Sequence, residues 1–318
     1  MKEVNEMSMH IFGMILTNEG IYANNRGNTE GNTNTLQKVI KNGQQYSTVS
    51  SEAIRYAVRE YWQMIDEGIV NRKAINHSKV EITDKTFENW PKYIDDDVLG
   101  FMKAQQETIS RRGLLEITRA ISIKPWYGEI MSNYASPGSN PSVKHMNPIP
   151  YSGEVHNTRY QYGFVITPAF LGCKAEYEEN NKKINWVEKL NINAKKERLK
   201  QTLEAIINIR RVGGNHSRYL TDFSPDVIIL RYTDDPAPRF LYCFEENEVG
   251  QISISSLISK IDSGDISAKE IVIGTSSGYE FLKPLVENKE VEKTGVKDSI
   301  CKIMDRIKDD HLKLSKEK

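Results

Sequence analysis

The sequence predicts an α+β protein with a ferredoxin-like core: a sheet with helices on one face, in split βαβ order. Three observations carry this. Residues 9–16 are apolar at both alternating sets of positions, as in a strand covered on both sides. Two segments, one opening near Glu52 and one over 195–211, repeat apolar residues at helical spacing. Further strand-like runs at 113–123, 160–166 and 227–230 are separated by polar, turn-rich inserts.

Taken in order, Gly13 interrupts the first strand and points to a bend or a close backbone approach. Residues 17–35, crowded with Asn, Gly and Thr, form a loop long enough to be functional or disordered. Residues 36–48 read as a hairpin with Asn42-Gly43 at its tip. Ser50 or Ser51 caps the next helix, which carries Ile54, Ala57, Val58, Tyr61, Trp62 and Ile65 as a regular helical face. Residues 66–109 read as a mostly helical insertion. Residues 125–152 are too rich in Pro, Gly, Ser and Asn for a continuous helix. Residues 160–166 are aromatic and β-prone, and 174–193 are polar. The second helix carries Leu199, Leu203, Ile206 and Ile207 and is expected to end on a Gly213-Gly214 C-cap. Strands follow at 227–230 and 241–244, then a helix at 255–261, a strand at 270–273 and a helix at 297–308.

The 318 residues balance 43 Lys+Arg against 43 Asp+Glu, and 38% are hydrophobic. This suits a soluble folded chain of about two domains, or one with large insertions. No run of ~18 apolar residues is present, so no membrane partner is expected. Residues 1–10 lack a secretory apolar core. Cys173, Cys243 and Cys301 form no CxxC pair, and their odd count argues against a disulfide framework, which fits a reducing cytoplasm. Zero net charge excludes a uniformly basic coat for nucleic acid, but the charges segregate. Residues 61–100 hold five bases and eight acids, including Asp95-Asp96-Asp97, whereas 195–218 hold seven bases and two acids. An acidic region and a basic region are expected.

No phosphate-binding GxxxxGK, no GxGxxG, no GxSxG and no HxxxH occurs, so neither cofactor nor metal is expected. The segment Arg210-Arg211-Val212-Gly213-Gly214-Asn215-His216-Ser217-Arg218 joins fork-shaped cationic donors to glycines that let main-chain N–H groups approach a phosphate. The plainer reading is a glycine-terminated helix whose basic end offsets its dipole. The loop containing Asn25, Arg26 and Asn28 offers short donors for a ribose-phosphate chain, or is a simple surface loop. Ser50 and Ser51, ahead of Arg55, mark a helix N-terminus open to anions, or only a cap. Tyr162-Gly163-Phe164-Val165 partly matches the strand on which RNA-recognition sheets stack bases.

In order and spacing over residues 8–245, these pieces resemble the DevR branch of the CRISPR Cascade backbone subunits (the Cas-seven family of the RAMP superfamily, type I-B-like). The match is carried by the strand over 11–16, the loop 25–32, Val49-Ser50-Ser51, Ser110-Arg111-Arg112-Gly113, residues 162–166 and the Gly213-to-Arg218 segment. The resemblance implies a modified RNA-recognition-motif palm (1–55, 110–125 and 154–245). It also implies helical fingers (56–109), a β-hairpin thumb (126–153) and a C-terminal palm extension (246–318). It implies a non-catalytic subunit that polymerises as a helical filament along the crRNA, beside other Cascade subunits. Its thumb flips out a guide base at intervals and leaves the others to pair with target DNA. RNA contacts are then expected from Asn25, Arg26, Asn28, Lys38, Ser50, Ser51, Arg55, Arg111, Arg112, Arg119, Arg210, Gly213, Gly214, His216, Ser217 and Arg218. His145 and Met146 would be base wedges. The alternative is a RAMP-type endoribonuclease, for guide processing or target RNA cleavage. Such relatives use a first-loop aspartate or a loop histidine. Here no aspartate lies between Thr17 and Ile65, and no histidine between His10 and His77, which leaves His216 as the histidine to test. A generic α+β interaction protein is the third reading.

Overall fold

The computed structural model describes residues 8–23, 29–76, 79–103, 109–135, 148–178, 182–213, 220–289 and 291–314. Strand β1 (His10–Thr17) is followed by the short β2 (Gly20–Tyr22), β3 (Thr29–Glu30) and β4 (Thr33–Asn34). The hairpin of β5 (Lys38–Lys41) and β6 (Gln44–Val49) turns on Asn42 and Gly43, at φ 52° and 78°, the two positive angles of a type I′ turn. Helix α1 (Ser51–Ile65) begins where Ser50 Oγ accepts the Ala53 N–H at 3.2 Å.

The helical reading of 66–109 is corrected. The segment holds the hairpin β7 (Arg72–Asn76) and β8 (Lys79–Ile82), a five-residue helix α2 (Ile94–Val98), and the pair β9 (Phe101–Lys103) and β10 (Ile109–Arg111). The expected strand over 113–123 is broken into β11 (Glu116–Ile117) and β12 (Ala120–Ser122). At the break, Thr118 Oγ1 accepts the Gly163 N–H at 2.8 Å, so a side chain replaces a ladder carbonyl. Next come β13 (Ile130–Ala135), β14 (Ile149–Glu154), β15 (His156–Thr158) and β16 (Tyr160–Ile166). The polar stretch after them is a hairpin, β17 (Cys173–Glu178) with β18 (Lys183–Glu188).

Helix α3 (Ile192–Ile207) is N-capped by Asn191 and C-capped by Asn208. The glycine C-cap expected at Gly213-Gly214 is therefore corrected. Strand β19 (Pro225–Thr233) leads to a turn, not a strand, over 241–244. The chain continues through β20 (Glu245–Glu246), β21 (Ile252–Ser253), α4 (Ser255–Asp262), β22 (Ile271–Gly274), α5 (Lys283–Val286), β23 (Glu292–Thr294) and α6 (Val296–Arg306).

Among the described residues, nine strands make the main sheet, in the order β23-β22-β19-β1-β16-β12-β6-β5, with β11 also on β16. At its centre β19-β1-β16-β12 are antiparallel neighbours. Helix α1 lies between β1 and β12 in the chain, and α3 between β16 and β19, which is the split βαβ order.

Both faces of this sheet are closed. Ile11 and Ile15 of β1 share one face with Tyr160, Tyr162 and Phe164, under α1, α3 and α6. Gly13 makes room there, since a Cβ would lie 2.1 Å from the Phe164 ring. Phe12, Met14 and Leu16 share the other face with Val227 and Ile229, under Phe240, Phe244, Leu257, Leu282 and Leu285. The expectation of helices on one face only is thus corrected: the last eighty or so residues supply a second cover that includes α4 and α5. No helix of the described residues is long and apolar enough to cross a membrane.

Candidate nucleic-acid interface

The first loop and the 126–153 insertion, far apart in sequence, are joined in one small sheet. β13 and β14 pair antiparallel from Ile130↔Glu154 to Ala135↔Ile149. β14 also pairs parallel with β4, through Ser152↔Thr33 and Gly153↔Asn34, and β4 pairs with β3. Beneath this junction Glu154 accepts the Leu36 N–H at 2.7 Å and the Lys38 ammonium at 2.5 Å. Lys38 Nζ also lies 3.8 Å from the Trp126 ring centroid, and Trp126 Nε1 donates to Val155 O. Lys38 is therefore held inward, while Tyr127, Ile130 and Tyr134 are exposed.

A second polar patch lies at the start of α1. The Glu52 backbone N–H holds that residue's own carboxyl below the usual range, with the Ser50 and Ser51 hydroxyls adding to the effect. Negative charge is thus favoured at this helix end. Gly213 sits against it: a Cβ there would lie 3.6 Å from Ala53 Cβ and 3.7 Å from Val49 Cγ1. Arg119 is exposed beside the patch and donates to Gln37 Oε1 at 3.1 Å and Thr48 Oγ1 at 3.2 Å. Arg210 and Arg211 are exposed just before Gly213. Two features read separately from the sequence as candidates for anion binding, the Ser50-Ser51 helix end and the Gly213 segment, thus occupy one place.

Other expected contacts point elsewhere. Arg55 donates to the Leu99 and Leu115 carbonyls, pinning α1 to the insertion. Arg111 binds the Asp97 carboxylate and the Cys173 carbonyl and stacks 3.9 Å from the Trp90 ring centroid. Both guanidiniums are spent inside the protein rather than offered to a phosphate. Arg112 is exposed and pairs with Glu116 at 2.6 Å. Asn25, Arg26, Asn28, His145, Met146, Gly214, His216, Ser217 and Arg218 lie outside the described residues.

The Asp95-Asp96-Asp97 run, read from the sequence as part of an acidic region, does not present its charge to solvent, and that expectation is corrected. Asp95, Asp96 and Asp97 are buried. Asp97 accepts from Arg111, from Arg198 at 2.8 Å and from the Gly172 N–H at 3.0 Å. Asp95 accepts from Arg59 at 3.2 Å and from the Asn71 and Arg72 N–H groups. Asp96 accepts from Asn71 Nδ2, and burial together with the neighbouring Asp95 pushes its carboxyl up to about 7. The cations that satisfy this run come from α1, β10 and α3, so the cluster ties α2 to α1 and α3.

The base-stacking reading of Tyr162 and Phe164 is also corrected. Both rings lie under the helices. On the opposite face Leu241 caps Gly163, whose Cβ would lie 2.6 Å from Leu241 Cδ2. Neither face of the central sheet is open to a base. Sequence reasoning missed one buried cluster, in which Ser47 Oγ lies 2.7 Å from both His156 Nδ1 and Tyr160 OH. Burial pushes the His156 ring down to about 4, so it is neutral at pH 7. Fully buried, it has no path to a substrate. Among the described residues no three His, Cys, Asp or Glu side chains group to hold a metal ion.

Comparisons with known proteins bear on the family and the fold. Residues 20–251 match the family described as CRISPR-associated negative auto-regulator DevR/Csa2. The chain is 40% identical over 286 residues to the CRISPR-associated protein Cas7/Cst2/DevR of Myxococcus xanthus (strain DK1622), covering 84% of this chain and 87% of that one. Its fold matches a chain of a pre-nicking CRISPR RNA-guided surveillance complex, with TM-score 0.59 and 12% identity, covering 93% of this chain and 99% of that one. A chain of a second CRISPR RNA-guided surveillance complex matches with TM-score 0.54 and 14% identity, covering 94% and 99%. The chain belongs to the DevR/Csa2 family of CRISPR-associated proteins.

Proposed function

We propose that this protein is a non-catalytic backbone subunit of a type I CRISPR surveillance complex. It polymerises along the crRNA in the cytoplasm, grips the guide's phosphates and displays its bases for pairing with target DNA. The carrying observation is the β4–β14 pairing, which fixes the first loop to the root of the 126–153 hairpin. An RNA strand laid along that junction meets donors from the loop on one side and the hairpin on the other. The α1 end, with Arg119, Arg210, Arg211 and Gly213, supplies a second set of phosphate donors. A sheet closed on both faces supports gripping by backbone rather than by base stacking, as a guide read by pairing needs.

The test uses purified protein and end-labelled single-stranded RNA of mixed sequence, with magnesium or with EDTA. Intact RNA retarded in steps of increasing size is the expected result. RNA shortened on a denaturing gel, and protected by His216→Ala or EDTA, overturns the non-catalytic assignment in favour of a nuclease. RNA neither shifted nor cut at low salt, even with the other complex subunits added, overturns the RNA-binding assignment.

A further inference from the structure

Away from the interface, α3 places a lysine against a cysteine. Lys195 and Cys173 are each 1% exposed, and Lys195 Nζ lies 3.2 Å from Cys173 Sγ. Nζ also faces Leu312 O at 2.8 Å, Ala169 O at 2.9 Å and Glu188 Oε1 at 3.3 Å. Four acceptors thus surround a group with three N–H bonds. Cys173 also lines an open cleft of ≈ 840 Å³, together with Phe170, Lys174, Trp186 and Lys189. Small solutes therefore reach its surroundings from solvent. Burial raises the Cys173 thiol, and Lys195 acts in the opposite direction. Among the described residues neither Cys243, which is buried, nor Cys301, which is exposed, makes a bond to a lysine.

We propose that Lys195 and Cys173 form a modification site, at which dioxygen creates a covalent Nζ–O–Sγ bridge. The lysine first gives one proton to solvent through Glu188, whose side chain is 44% exposed. One N–H bond, the S–H bond and the O–O bond then break. One oxygen atom becomes the bridge through new N–O and O–S bonds, and the other leaves as water with the two hydrogens. Dioxygen takes up four electrons, two from sulfur and two from nitrogen, so the step balances. The bridge staples β17 to α3, beside the carbonyl of Leu312.

The experiment compares the full-length protein after aeration with the same preparation kept under dithiothreitol without oxygen. Intact mass spectrometry is expected to show one oxygen gained and two hydrogens lost. In the urea-unfolded protein one of the three thiols should stop reacting with a maleimide, and a tryptic digest should yield the Cys173 peptide joined to a peptide left uncut at Lys195. Dithiothreitol should reverse all three changes. The near-isosteric Cys173→Ser variant, checked for native circular dichroism, should abolish the bridge, and Cys301→Ser should leave it in place. Three reactive thiols and an unchanged mass after aeration overturn the proposal. So does an oxidised Cys173 with Lys195 unlinked, or a mass change that survives in Cys173→Ser.

Discussion

The Lys38 ammonium lies 2.5 Å from the Glu154 carboxylate, and this pair joins the hairpin after the first loop to the last residue of β14. Both groups are mostly shielded, with side chains 18% and 9% exposed. The lysine therefore serves geometry before it serves charge. Lys38→Met is expected to weaken RNA binding by loosening the junction while leaving the salt dependence of binding unchanged. Glu154→Gln should destabilise the fold by about 1–3 kcal/mol, because a half-buried cation loses its partner. Salt titration of RNA affinity and urea unfolding check the two parts.

Arg119 should behave oppositely. It is exposed, and of its two side-chain bonds the one to Gln37 lies at the surface while the one to Thr48 is partly buried. Arg119→Ala is expected to leave unfolding within about 0.5 kcal/mol of the parent. It should weaken RNA binding evenly across sequences and reduce the salt slope by about one phosphate contact. Gel shifts on three unrelated RNA sequences over a salt series measure this. An unchanged slope removes Arg119 from the interface.

Asp97 answers to stability alone. Its carboxylate is fully buried and serves two arginines and a backbone N–H. Asp97→Ala leaves Arg111 and Arg198 without their counter-charge. The expected loss is about 3–5 kcal/mol in urea unfolding, typical of breaking a buried pair from one side.

Asp96 gives a pH signature. Its folded pKa of about 7 stands above the model-compound value of 3.8, so the folded state prefers the protonated acid. The stability this group contributes is complete below pH 4 and is lost as pH rises through 7. Asp96→Asn should therefore match the parent near pH 4 and exceed it in melting temperature at pH 8. Thermal melts across that range decide it. A variant less stable than the parent at pH 8 would show that the carboxylate is favourably held.

The sequence made legible those features that rest on neighbours in the chain. The Asn42-Gly43 turn, the Ser50 cap and the apolar periodicity of α1 are local signals, and each element forms where expected. The buried state of Asp95, Asp96 and Asp97 was illegible because Arg59, Arg111 and Arg198 arrive from distant elements. The aromatic strand was misread for a related reason. Alternation shows that Tyr160, Tyr162 and Phe164 share a face, but not which face the helices cover. The insertion was misread because alternation in β8 runs over only four residues, too few to outweigh a helical reading. At the candidate interface the motifs were visible, but not that Gly213 would rest on the first turn of α1.

The cover over Phe12, Met14 and Leu16 comes from residues 240–291, made long after the strand it protects. While the chain is being synthesised, the central strands can pair and α1 and α3 can dock, but one side of the sheet stays bare until the last quarter of the protein leaves the ribosome. A bare apolar sheet invites sticking between chains. The nascent protein thus passes through a stage at which a chaperone, or residues 240–291 themselves, must reach the sheet before another molecule does.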